Sequence, residues 1–211
     1  MNLDCAIIVS AHRQELVTDE VLPSVLRQGC FDEILVVGDY WPGRGYRYLP
    51  VPPIHGNTLD ALWKRQEAVE ESTADAILFL CDDHRLLNVW DTEWPAWQDA
   101  QWDVLVPARY TRRDGRLVEI NNGLDPRDPE APYAAGHAAI YRRRILARHP
   151  WNQTYLHDRC WDLLHSKAIL ADGGVIAHCR DLPVADVDPN PGEHARHFTL
   201  DGLVAKPHDS C

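Results

Sequence analysis

An open, mostly parallel α/β sheet flanked by helices, with a small antiparallel addition, is the fold class that three features of this sequence predict. First, "CAIIVS" (5–10), "EILVVGD" (33–39) and "AILFLCDD" (76–83) are continuous apolar runs, the pattern of strands covered on both faces. Second, helical periodicity fills the gaps between them, which makes strand–helix–strand units and hence parallel pairing. Third, "DVLVPARY" (103–110) and "RLVEINNG" (116–123) flank "TRRDG", a hairpin signal that supplies the antiparallel part.

The elements follow in order. After the first strand, Val21, Leu22, Val25 and Leu26 recur at helical spacing, with Thr18 as N-cap, Asp19 and Glu20 in the first turn and Gly29 as the stop. Residues 41–56 read as loop with a short extended piece in "YRYLPV", and a helix follows from Thr58 to about Glu71 with Leu59, Leu62, Trp63 and Val69 on its apolar side. Trp90, Trp94, Trp97 and Trp102 cluster in one segment; core packing or a hinge lining is the commoner role for such rings, an acceptor-side flap the rarer one. The Pro- and Asp-rich "LDPRDPEAP" reads as loop, and "AAGHAAIYRRRILARHP" follows it. An amphipathic helix is expected over Asp158–Ala171, with Cys160, Trp161, Leu164 and Ala168 on one side, ended by "ADGG" before the short strand "VIAH". Composition turns loop-like beyond that, so one domain is expected over 1–180 and a tail over 181–211 that packs on or near the active site. There is no internal repeat.

Composition narrows the function. With 21 Lys+Arg against 32 Asp+Glu the formal charge is −11, which argues against unselective binding of nucleic acid. The six cysteines form no CxxC pair, so structural zinc is not indicated and a reduced, cytoplasmic protein is the expectation. "MNLDCAIIVS" lacks the basic start and long apolar core of a signal peptide. No run approaches the roughly 20 apolar residues of a membrane span. "GRG" at 43–45 neither follows a buried strand directly nor opens a GK[ST] helix start, so it is no phosphate loop.

The chemistry concentrates where the third strand ends, in "LCDDH" (80–84). Ligands of open parallel sheets bind beyond the carboxyl ends of the strands. Paired carboxylates there suit a hard divalent ion, which screens a diphosphate that an acidic protein would otherwise repel; a solvated strand terminus is the plain alternative. Lys64 and Arg65, two turns into the second helix, carry two readings as well: a phosphate contact, or a solvated basic face.

The order of these landmarks resembles the nucleotide-sugar glycosyltransferases of the GT-A fold, the family-2-like group in particular. A strand ends in a polar turn, "IIVSAHRQ"; a second ends in Asp, "ILVVGD"; a helix opens with Asn in "GNTLDALWKRQEA"; and "AILFLCDDH" corresponds to the metal-binding DxD region. Downstream, "AAGHAAIYRRRIL" resembles the family's glycine-containing segment, and "LHDRCWDLLHSKAILADGGVIAHC" its acidic helix, glycine and strand ending in His. One departure stands out: strict alignment puts Cys81 where the first Asp belongs, leaving Asp83 as the second.

The resemblance implies a metal-dependent, inverting transfer of sugar from a nucleoside-diphosphate donor, with a UDP-sugar favoured, to an acceptor hydroxyl. It implies Mn²⁺ or Mg²⁺ held by Asp83 with His84 and His178, and Asp82 beside them. Ala11, His12, Arg13, Asp39, Asn57 and Lys64 would line the donor pocket, with Asp39 accepting from the uracil or ribose. Asp158 would take the acceptor proton, while Asp162, four residues on, reads as a solvated helix position. The acceptor stays open among glycan, protein, small molecule and modified DNA, the last because "TRRDGR" and "YRRRILAR" are basic patches in an acidic chain. Two other readings compete. Cys81 in place of the first Asp keeps open a non-catalytic binding module; a sugar-phosphate nucleotidyltransferase is disfavoured because "SAHRQELV" carries no glycine-rich turn.

Overall fold

The computed structural model describes residues 1–9, 13–38, 46–51, 57–113, 116–120, 124–125, 128–134, 136, 138–151 and 161–187, of which 57–60, 113, 124–125 and 128–131 are described by their backbone alone. The first three apolar runs form β1 (Leu3–Ile8), β2 (Glu33–Gly38) and β4 (Ala76–Cys81), with β3 (Arg47–Pro50) at the edge. These four pair in parallel in the order β3-β2-β1-β4. β10 (Ala138–Arg142) runs antiparallel between β4 and β6 (Val104–Arg113), and β11 (Ile176–Asp186) lies parallel to β6 on its far side. β5 (His84–Leu86) closes that edge against β11, and β7 (Arg116–Glu119) makes the expected hairpin with β6. The mixed sheet is the predicted fold class, parallel where strand–helix units repeat and antiparallel in the added part.

Both faces are covered, which is why the strands read as unbroken apolar runs. Cys5, Ile7, Val36, Leu78, Leu80 and Ile140 face one core; Ala6, Ile8, Leu35, Val37, Ile77 and Phe79 face the other. The first core is closed by a helical segment made of α1 (Gln14–Leu16), a π-helical turn (Val17–Val21) and α2 (Leu22–Leu26), together with α4 (Trp90–Gln98). Trp90, Trp94 and Trp102 are buried there, so the tryptophan cluster is core. The second is closed by α3 (Asn57–Glu71), α5 (Arg143–Arg148) and α6 (Trp161–Ala171).

Several local expectations change under packing. The first helix starts a turn early, so Thr18 lies inside it and bonds back to the Gln14 carbonyl at 2.9 Å instead of capping. Pro23 has no N–H for the ladder, and the turn widens to π geometry just before α2. On α3, Trp63 is 47% exposed while Leu62, Lys64, Arg65 and Ala68 are buried; the helix turns its cationic side inward, where Lys64 and Arg65 donate to backbone carbonyls. On α6 the buried side is Leu163, His165, Ser166 and Ile169, one position off the expected stripe; Cys160 lies outside the described residues. "LDPRDPEAP" carries a small ribbon of β8 (Leu124–Asp125) and β9 (Asp128–Pro132). β11 does not stop at His178: it shifts register between Cys179 and Val184 and continues to Asp186, because Leu182, Val184 and Ala185 have buried places to fill.

His165 shows how completely the second core excludes water. Its ring lies 3.7 Å from that of Trp151, its Nε2 donates to the His149 carbonyl at 2.8 Å, and burial pushes its pKa down to about 4. An unfolded chain binds this proton near pH 6.5, the folded one near 4. Stability from this group is therefore whole above the unfolded value and falls as pH drops through the window, by roughly 3 kcal/mol in all. Urea midpoints of wild type and His165→Gln should diverge at pH 7 and converge toward pH 4.

Candidate active site

Every strand of the parallel set delivers its carboxyl end to one side, and β4 delivers the acidic pair. After Cys81 the chain turns through Asp82 and Asp83 and enters β5, which pairs with the last residues of β11. Both carboxylates are buried, at 4% and 9% exposure, and buried carboxylates demand partners. Arg13 Nη1 reaches Asp83 Oδ2 at 2.5 Å and Asp82 Oδ1 at 3.5 Å. His84 Nδ1 lies 2.5 Å from Asp83 Oδ1, and its Nε2 lies 3.1 Å from Asp186 Oδ1, which Arg109 Nε meets at 2.8 Å. The result is an alternating chain, Arg13–Asp83–His84–Asp186–Arg109.

The charges in this chain support one another. Burial, the largest influence on His84, opposes its protonation, but the Asp83 and Asp186 carboxylates beside its two nitrogens outweigh it and raise its pKa. Burial likewise works against ionised Asp186, yet the His84 ring beside it and the hydrogen bond from Arg109 hold it well below the usual carboxylate range. Neither Arg109 nor Asp186 was singled out from sequence, since Asp186 falls in the segment expected as tail.

A second wall meets the first through Gly136. Its carbonyl accepts from Arg65 Nη2 at 2.6 Å and from the Cys81 thiol at 3.1 Å, and its N–H donates to Asp162 Oδ2 at 3.0 Å. One residue thereby ties the end of β4 to the first turn of α6. Asp162, in the first turn of α6, also accepts from the N–H of its neighbour Leu163 at 2.9 Å. It is half-buried and both of its oxygens accept backbone N–H bonds, so it is not the solvated position expected; burial, its largest influence, raises its pKa against the pull of those bonds. Arg65 is buried because the Trp161 ring lies 4.7 Å from its guanidinium carbon, with Phe79 and Trp151 about it at 5.9 and 6.0 Å. A Cβ on Gly136 would stand 2.6 Å from Trp161 Cζ2. Gly136→Ala is therefore expected to cost about 1–3 kcal/mol, read as a lower urea midpoint.

The remaining expected residues divide. Lys64 is buried and donates to the Val9 carbonyl at 2.8 Å, which fastens α3 to the end of β1; the solvated face proposed for Lys64 and Arg65 is not what forms. Asn57 opens α3. Ala11, His12, Asp39 and Asp158 lie outside the described residues. His178 sits on β11 opposite Val106; its ring nitrogens are buried without a hydrogen-bond partner among the described residues, and desolvation lowers its pKa. The "YRRRILAR" arginines are engaged locally: Arg142 with the carbonyls of Gln98, Ala100 and Trp102, Arg143 with those of Val69, Ser72 and Ala74, Arg144 with Asp103 and Arg148 with Asp172.

A divalent ion needs several donors with available lone pairs. Asp83 already meets Arg13 with one oxygen and His84 with the other, and both His84 nitrogens face carboxylates. Burial pushes the Cys81 thiol up to about 12, so it is a hydrogen-bond donor and not a thiolate ligand. Among the described residues no three His, Cys, Asp or Glu side chains are arranged to hold a metal ion. The expected set of Asp83, His84 and His178 is not assembled there, and these residues do not fit the ion.

No family model and no curated protein matches the sequence. Among solved structures, the chain is similar to the mannosyltransferase PcManGT from Pyrobaculum calidifontis in complex with GDP-Man and Mn²⁺, with a TM-score of 0.61 and 14% identity over 92% of this chain. It is also similar to S. aureus TarS 1-349, with a TM-score of 0.60 and 14% identity over 99% of this chain. The chain spans 59% of the first protein's length and 67% of the second's. The fold is GT-A-like, as the order of motifs implies. No described helix is long and apolar enough to cross a membrane.

Proposed function

We propose that this GT-A-like chain transfers a glycosyl group from a nucleoside-diphosphate sugar to an acceptor hydroxyl, with inversion, at the carboxyl end of its sheet. The observation that carries the reading is the Gly136 backbone, whose C=O and N–H couple the β4 end leading to Asp82 and Asp83 to the α6 turn bearing Asp162. Transfer breaks the bond between the anomeric carbon and the diphosphate oxygen and forms one to the acceptor oxygen. The leaving diphosphate keeps the electron pair, and the acceptor proton passes to a carboxylate. Asp162 is the described carboxylate suited to that proton, since its raised pKa makes it a stronger base than an exposed Asp. Asp158, the residue the motif order points to, stands four positions earlier and is the comparison to make. Arg13, 18% exposed at its side chain, is the described cation beside the acidic pair.

The arginine contacts of α5 weigh against a polyanionic acceptor, and a hydroxyl on a small molecule, glycan or protein is favoured. Cys81 in place of the usual carboxylate supports the second reading, a module that binds nucleotide-sugar without turnover. Release of nucleotide from a panel of UDP-, GDP- and dTDP-sugars tests both. Turnover supports the enzyme, binding without turnover the module, and neither would remove the donor reading.

A further inference from the structure

We propose that the Arg13 guanidinium is the resident cation of the donor site, so that a nucleoside diphosphate binds this chain without a divalent metal. The inference rests on the donor reading above and concerns what balances the diphosphate's charge. Both oxygens of Asp83 are engaged at 2.5 Å, one by Arg13 and one by His84. The same Arg13 nitrogen leans 3.5 Å from Asp82. An ion entering here would have to displace Arg13 and also part Asp83 from His84. His84 has nowhere to retreat: its ring is 1% exposed and its other nitrogen faces Asp186, which Arg109 holds.

The position that should add a second ligating carboxylate is Cys81, whose thiol donates to Gly136. Asp82, Asp83 and Asp186 face Arg13, Arg109 and His84, so the acidic pair is already compensated and has little pull on a further cation. A guanidinium has five N–H donors in a planar fork, which allows one side chain to hold a carboxylate and a phosphate together. Arg13 leads directly into α1 and is partly exposed, so it can meet a ligand without unfolding the network behind it.

Two measurements on the full chain test this. Calorimetric titration with UDP and with GDP should give affinities that agree within about threefold in EDTA and in Mn²⁺, and Arg13→Gln should weaken binding in EDTA by about tenfold or more. Mn²⁺ titration followed by electron paramagnetic resonance should find wild type a poor ligand. Arg13→Gln should bind Mn²⁺ about tenfold tighter, because the buried carboxylates then lack their cation; a misfolded variant would not gain this. Mn²⁺-dependent diphosphate binding by wild type, or an Arg13→Gln variant that leaves both affinities unchanged, overturns this inference alone. Failure of both diphosphates to bind in either buffer overturns the donor reading and this inference with it.

Discussion

Asp162→Asn is expected to lower glycosyl transfer by about 10²–10⁴-fold, the usual contribution of a positioned general base. Asn keeps one oxygen to accept from the Gly136 N–H, so α6 and the glycine segment stay docked, but it cannot take a proton. The loss should fall equally on kcat and kcat/KM, since the acceptor proton moves only in the transition state. Burial raises the pKa of Asp162, so wild-type kcat/KM should decline on the acid side at a pH above the ordinary Asp value of about 3.9. The sign follows from the role: the base works ionised, and a higher pKa starts its protonation at higher pH. A large loss in Asp158→Asn with Asp162→Asn near wild type would transfer the role to Asp158.

Arg65→Ala should lower stability by roughly 3–5 kcal/mol, read as a fall in urea midpoint at unchanged m. Arg65 is 2% exposed, donates to the carbonyls of Ala61 and Gly136 and stands against three aromatic rings. Truncation opens a cavity and strips the Gly136 carbonyl of its short bond in one step. Arg65→Lys should recover only part of the loss, because an ammonium has neither the planar fork nor the stacking face. The effect should exceed that of Gly136→Ala, where a single methyl group meets Trp161.

The parts of the site that sequence reveals are those written locally. "AILFLC" followed by two acids names a buried strand and the charge at its end, since a strand covered on both faces must be apolar throughout. The partners are another matter. Arg13 and Asp83 are 70 residues apart, Arg109 and Asp186 are 77 apart, and no periodicity links them. Arg65 reads as surface by residue type, yet Phe79, Trp151 and Trp161 come from three distant segments to make its pocket. Asp186 was legible only in part: Leu182 and Val184 continue an alternation, but Pro183 and the surrounding acids resemble a loop.

Strand runs and helix periods determined from sequence alone that this is an open, mostly parallel α/β sheet with an acidic pair after its third apolar run, because backbone hydrogen bonding and burial act over a few neighbouring residues; the GT-A likeness came from the resemblance of its motif order to a known family. Tertiary structure alone decided that Arg13 faces that pair, that α3 turns Lys64 and Arg65 inward, and that Gly136 joins β4 to Asp162. Those outcomes depend on which charges and rings meet across the fold, where a buried group takes whichever partner removes its desolvation cost.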